Sequence, residues 1–164
     1  MSQHTKKDEI LSYIVRRVNI SDFLLPFRGD FQGKFYDSAI PPVAFYPNSK
    51  SCLNFDEFIS PTILGRVKNG SLFIWEKVGS VQPPPLVMPI TVEQTKPRMC
   101  HYQRFLHLWI KDLPLSLDYI SGLPRYVFKS HFQTAFDDKS GYDHIGLSPD
   151  SFTFVGLEWK GWYF

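Results

Sequence analysis

Prolines and glycines fall between the short aromatic runs of this chain, and that punctuation limits it to short helices and strands, because proline fixes φ and lacks an amide donor. From Pro26 to Cys52, the residues Pro26, Gly29, Gly33, Pro41, Pro42 and Pro47 interrupt one aromatic run after another. This predicts loop-like backbone with sparse pairing, wrapped around some other part of the chain. The link Pro83-Pro84-Pro85 divides the sequence into a lead-in segment, 1–83, and a second segment, 84–164. With 43% hydrophobic and 16% aromatic residues across 164 positions, the chain can build one sizeable core or two small ones.

Periodicity places the elements. Ile10, Leu11, Ile14, Val15 and Val18 recur at helical spacing over Asp8 to Val18. Asn54 with Glu57 reads as the cap of a second helix running through Phe58, Ile59, Ile63 and Val67, with Pro61 kinking or restarting it. Ser71 to Val78 has strand composition. Leu86 to Val92 and Arg98 to His101 form a hairpin across the basic tip Glu93-Gln94-Thr95-Lys96. Phe105 to Ile110 fits helix or strand, and Leu117 to Val127 fits a short helix. Phe152 to Trp159 pairs with Trp162-Tyr163-Phe164 across Lys160-Gly161.

Composition excludes little. A formal charge of +2 does not establish a nucleic-acid partner, because phosphate binding depends on clustered Lys and Arg. No apolar run approaches the roughly 20 residues of a membrane helix. Cys52 and Cys100 lack metal-ligand spacing, and no signal-peptide core follows the N-terminus, so a reduced intracellular setting, cytoplasmic or nuclear, is expected. His101, His107, His131 and His144 do not cluster, and His107 reads as a packed core histidine.

One constellation carries chemistry. Asp137 follows the aromatic run Phe132 to Phe136 and precedes a Ser-Gly turn, so a strand would present its carboxylate at the C-terminal tip, with Asp138 beside it. Upstream lies Lys96-Pro97-Arg98-Met99. Read singly, each motif has a plain alternative: an Asp-Asp pair as a turn or helix cap, Lys-Pro-Arg as a solvated loop, Tyr142 as a packed aromatic.

Their order resembles the reverse transcriptases of retroelements (retrotransposons), of the gypsy type and more closely the DIRS type. Lys96-Pro97-Arg98-Met99, Arg104-Phe105-Leu106, Leu113-Pro114-Leu115, and Phe136-Asp137-Asp138-Lys139-Ser140-Gly141-Tyr142 succeed one another as in those enzymes, from about Pro84 to Phe164. The resemblance implies an α+β fold with small antiparallel sheets and flanking helices, the fingers and incomplete palm of a right-hand polymerase, an RNA-directed DNA polymerase (a nucleotidyltransferase) adding deoxynucleotides to a primer on RNA or DNA template. Asp137 would be the catalytic metal-binding carboxylate, and the backbone carbonyl of Asp138 would lie beside the same Mg²⁺. The amides of Ser140, Gly141 and Tyr142 would receive the triphosphate, with Tyr142 under the sugar. Lys96 and Arg98 would reach its phosphates from the fingers.

Two departures modify this expectation. The acidic residue usual before Arg104 is Tyr102 here, which removes a charge-assisted bond and, if Arg104 is buried, would strand its guanidinium. No second Asp-Asp pair occurs, so the chain is expected to be a truncated piece, inactive alone, with an aromatic edge at Trp162-Tyr163-Phe164 open to self-association. The competing readings are a non-catalytic nucleic-acid-binding or interaction module and a nonfunctional retroelement relic.

Overall fold

The computed structural model describes residues 7–80, 82–112, 129–130 and 145–164, and its regular elements are short. Helix α1 (Lys7–Arg16) stops where Arg17 adopts φ 65, a left-handed conformation that ends the helical ladder. Strands β1 (Phe27–Phe31) and β2 (Lys34–Ser38) then form an antiparallel hairpin, in the segment expected to pair sparsely. Gln32 and Gly33, at φ 49 and 79, supply a two-residue turn whose twist matches that of the strands. Phe27 and Phe31 face inward while Arg28 and Asp30 face water, so the alternation overrides the punctuation.

Strand β3 (Ala44–Phe45) leads through a 3-10 helix, Lys50–Phe55, into helix α2 (Asp56–Lys68). Asn54 therefore lies inside the 3-10 helix rather than at a cap. Pro61 sits within α2 without breaking it: its ring is on the exposed face, while Ile59 and Ile63 on either side of it are buried. The amides of Ser71 and Leu72 donate to the Arg66 carbonyl at 3.0 and 3.1 Å, closing the helix. Those donors are thus lost to the expected strand, and only β4 (Glu76–Lys77) pairs there.

Beyond the prolines come β5 (Leu86–Val87), β6 (Ile90–Glu93), β7 (Arg98–His101) and helix α3 (Arg104–His107). The last described stretch holds a 3-10 helix, Pro149–Phe154, then β8 (Glu158–Trp159) and β9 (Trp162–Tyr163). Phe152 to Phe154 are consequently helical rather than the start of a strand. The β8–β9 hairpin forms as expected, with Lys160 and Gly161 at φ 49 and 79 in its turn. Strand β9 lies between β4 and β8, so the aromatic edge expected at the end of the chain is paired on both sides and Tyr163 is buried. The sequence-predicted helix at 117–127 and strand at 132–136 lie outside the described residues.

Two apolar cores organise these pieces into an α+β fold. Cys52, Ile59 and Ile63 pack with Ile90, Val92, Leu157 and Trp159 in the first. Ile20 packs with Leu86, Met88, Phe105, Leu106 and Trp109 in the second, beneath the β1–β2 hairpin. Its rings meet edge-on, Phe105 at 5.0 Å from Trp109 and Phe27 at 5.1 Å, the geometry that aromatic quadrupoles favour. Both cores draw residues from either side of Pro83–Pro85, and β3 pairs in parallel with β5 across that link.

Gly156 is the most closely packed of the described glycines. A Cβ there would meet the Leu86 carbonyl oxygen at 2.6 Å and Pro84 Cβ at 2.8 Å. Gly156→Ala is accordingly expected to cost on the order of 1–3 kcal/mol of stability by overpacking, read as a lowered urea midpoint against wild type.

Candidate nucleic-acid interface

The β6–β7 hairpin carries the basic tip. Ile90 and Val92 point into the first core and Met99 packs against it, which roots the stalk. The turn Gln94–Pro97 then holds Lys96 in solvent, and the register sets Arg98 opposite Glu93. Glu93 Oε1 accepts from the Thr95 hydroxyl at 2.8 Å and the Thr95 amide at 3.2 Å. Those bonds from Thr95, with the charge of Arg98 as a lesser cause, hold the Glu93 carboxyl below its ordinary range. The tip thus presents two exposed cations of different kind, an ammonium able to act as a point charge and a guanidinium able to fork.

At the foot of β7 the chain is fixed by His101. Its Nε2 lies 3.2 Å from the Gly156 carbonyl oxygen and its Nδ1 lies 2.9 Å from Gln103 Nε2. The tautomer that satisfies both nitrogens is neutral, with Nε2–H donating to Gly156 and Nδ1 accepting from Gln103. A second proton would point Nδ1–H at a donor. Burial is the main cause that pushes this imidazole down to about 4, against the opposing bonds to Gly156 and Met88, and the charge of Arg66 adds a small push in the same direction. Gln103 Oε1 is buried with no hydrogen-bond partner among the described residues.

Near the hairpin the condition set for Arg104 is not met, and the expectation for His107 is corrected. Arg104 is exposed, not stranded in the interior: its Nη1 donates to the Tyr102 hydroxyl at 2.8 Å, and the guanidinium lies 5.8 Å from the centre of that ring. His107 is exposed rather than packed, because the helical turn of α3 gives the core to Phe105, Leu106 and Trp109.

Of the expected site residues, Lys96 and Arg98 are brought together on one tip. Asp137, Asp138, Ser140, Gly141 and Tyr142 lie outside the described residues. Among the described residues no group of three or more His, Cys, Asp and Glu side chains is placed to hold a metal ion, and no helix is long and apolar enough to cross a membrane.

A feature that the sequence did not reveal is a cleft of about 340 Å³ where the segment before α2 meets β8. Lys50, Leu53, Asp56, Glu158, Trp159 and Lys160 are among its lining residues. Lys160 Nζ meets Asp56 Oδ2 at 2.6 Å, Ser60 Oγ donates to Asp56 Oδ1 at 2.6 Å, and Trp159 Nε1 donates to Ser60 Oγ at 3.0 Å. The Lys160 ammonium is the main cause that holds the Asp56 carboxyl below its usual range. The Trp-rich hairpin was visible in the sequence, but its partners lie some hundred residues upstream, and no local signal joins them.

Comparison of the chain with family models, with curated proteins and with solved structures finds no match.

The His101 geometry fixes a pH dependence. Its folded pKa of about 4 lies below the ordinary 6.5, so the unfolded chain takes up a proton first as pH falls. Stability is therefore full above about pH 6.5 and declines between there and about pH 4, by up to about 3 kcal/mol. Urea midpoints at pH 7.5 and pH 5 should show this fall, and His101→Asn should flatten it.

Proposed function

We propose that this chain is a fingers-and-palm piece of an RNA-directed DNA polymerase of the reverse-transcriptase type, and that the described part serves it by holding nucleic acid. The observation that carries the reading is the exposure of Lys96 and Arg98 together at the tip of a hairpin whose foot is rooted in a core. Among the described residues neither cation is within ion-pair distance of a carboxylate, so on this rooted stalk their charge is available for phosphate contact. The motif order from Lys96 to Tyr142 supports the same reading.

In the parent reaction Mg²⁺ would neutralise the charge that develops on the transferring phosphoryl group. The residues that would hold it, Asp137 and Asp138, lie outside the described residues. This sequence carries one Asp-Asp pair, so by itself it binds template and primer without extending them.

A second reading, a binding module without catalysis, is favoured by the exposed Tyr102–Arg104 pair directly after the hairpin, since a guanidinium beside an aromatic ring suits backbone contact with base stacking.

Fluorescence anisotropy with a labelled single-stranded oligonucleotide tests the shared claim. Binding is expected at low salt, and the double variant Lys96→Ala/Arg98→Ala should reduce the slope of log affinity against log salt by roughly 1–2. Absence of binding at low salt would overturn both readings. Primer extension with Mg²⁺ separates them from a competent polymerase, and no product is expected from this chain.

A further inference from the structure

Trp159 belongs both to the lining of the cleft and to the β8–β9 hairpin, so the cleft adjoins that hairpin's face. Trp159 and Trp162 are cross-strand partners in β8–β9, and Trp162 is in turn the partner of Lys77 in β4. Directly opposed residues of an antiparallel pair share a face, with Cβ atoms roughly 5 Å apart, so Lys77, Trp162 and Trp159 stand in a row. Trp159 is 8% exposed and walls the cleft, whereas Trp162 is 42% exposed and its ring is free to be covered. Leu53, 78% exposed, adds apolar surface at the cleft.

Charge decides what such a surface fits. Of the two carboxylates of the cleft, Asp56 is ion-paired with Lys160, while Glu158 keeps its charge but accepts from the Gly161 amide at 2.9 Å, which folds it onto the hairpin turn. Among the described residues neither Lys50 nor Lys77 is ion-paired, so one unpaired cation flanks the cleft and another flanks Trp162. The ligand that matches is a planar ring carrying an anion. A volume of about 340 Å³ falls within the range of small-molecule sites, roughly 300–1,000 Å³.

We propose that this surface is a nucleotide-binding site separate from the β6–β7 tip: one base enters the cleft against Trp159 and Leu53, a neighbouring base stacks on Trp162, and Lys50 and Lys77 take the phosphates. The ligand class agrees with the nucleic-acid reading above, but the site stands on different residues. It takes a nucleotide either free or as part of a single strand.

The test is titration of the full chain with AMP and with oligo-dT of twelve nucleotides, read by tryptophan fluorescence and anisotropy. Trp162→Ala, at an exposed ring, should weaken the oligonucleotide roughly fivefold to a hundredfold. Lys50→Ala and Lys77→Ala should each lower the salt slope by about 0.7. Unchanged urea midpoints in these variants exclude unfolding as the cause. AMP binding that the same variants weaken, with no gain from the longer strand, establishes the site as one for free nucleotides. The proposal falls if neither ligand alters tryptophan fluorescence, or if Trp162→Ala binds as wild type. Should the loss then be confined to Lys96→Ala/Arg98→Ala, the hairpin reading survives and this one does not.

Discussion

The close passage of Gly156 beneath Leu86 is the constraint on which the rest of the described structure depends. Its carbonyl oxygen accepts from the Met88 amide at 2.8 Å and from His101 Nε2 at 3.2 Å, and its backbone bridges Val87. One residue therefore ties β5, the foot of β7 and the approach to the C-terminal hairpin. The approach is possible only because no side chain stands between Gly156 and the Leu86 carbonyl. Since Leu86 and Met88 belong to the second core while Leu157 belongs to the first, the same contact holds the two cores together.

A second clip works beside it. Asn48 Oδ1 accepts from the Ile90 amide at 2.8 Å, and its Nδ2 donates to the Glu158 carbonyl at 2.7 Å. A side-chain amide thus replaces a missing strand between β6 and β8, satisfying backbone groups that would otherwise lack partners. The Lys160–Asp56–Ser60–Trp159 chain extends this fixation to the start of α2. Its ion pair is largely exposed and adds little stability, so its main consequence is placement: it holds the hairpin turn over the cleft. The basic tip and the tryptophan face are both exposed surfaces on rooted elements, which makes side-chain truncation informative about binding rather than folding.

Much of the local structure was legible. The β6–β7 hairpin and the β8–β9 turn were announced by alternation and by Lys160-Gly161, and the apolar spacing of α1 and α2 marked two helices. The β1–β2 hairpin was missed because prolines and glycines were weighed above the two-residue turn at Gln32-Gly33. Pro61 was read as a break, yet burial of Ile59 and Ile63 on the opposite face carries the helix through it. His107 was read as a packed histidine because no second ligand lies near it, whereas a single turn of α3 decides which side chains reach the core. Of the expected site, Lys96 and Arg98 were legible because a hairpin tip is a local feature.

By itself the sequence determined what depends on near neighbours: short elements, the turns of the β6–β7 and β8–β9 hairpins, and the basic tip. Tertiary structure alone decided that β9 has partners on both sides, that Gly156 must be glycine, that His101 stays neutral, and that Lys50 and Trp159 share a cleft. The physical reason is range. Turn and helix propensities act over a few residues, while burial and hydrogen bonds such as Asn48 to Glu158 join positions 110 residues apart and exist only once the chain has closed on itself.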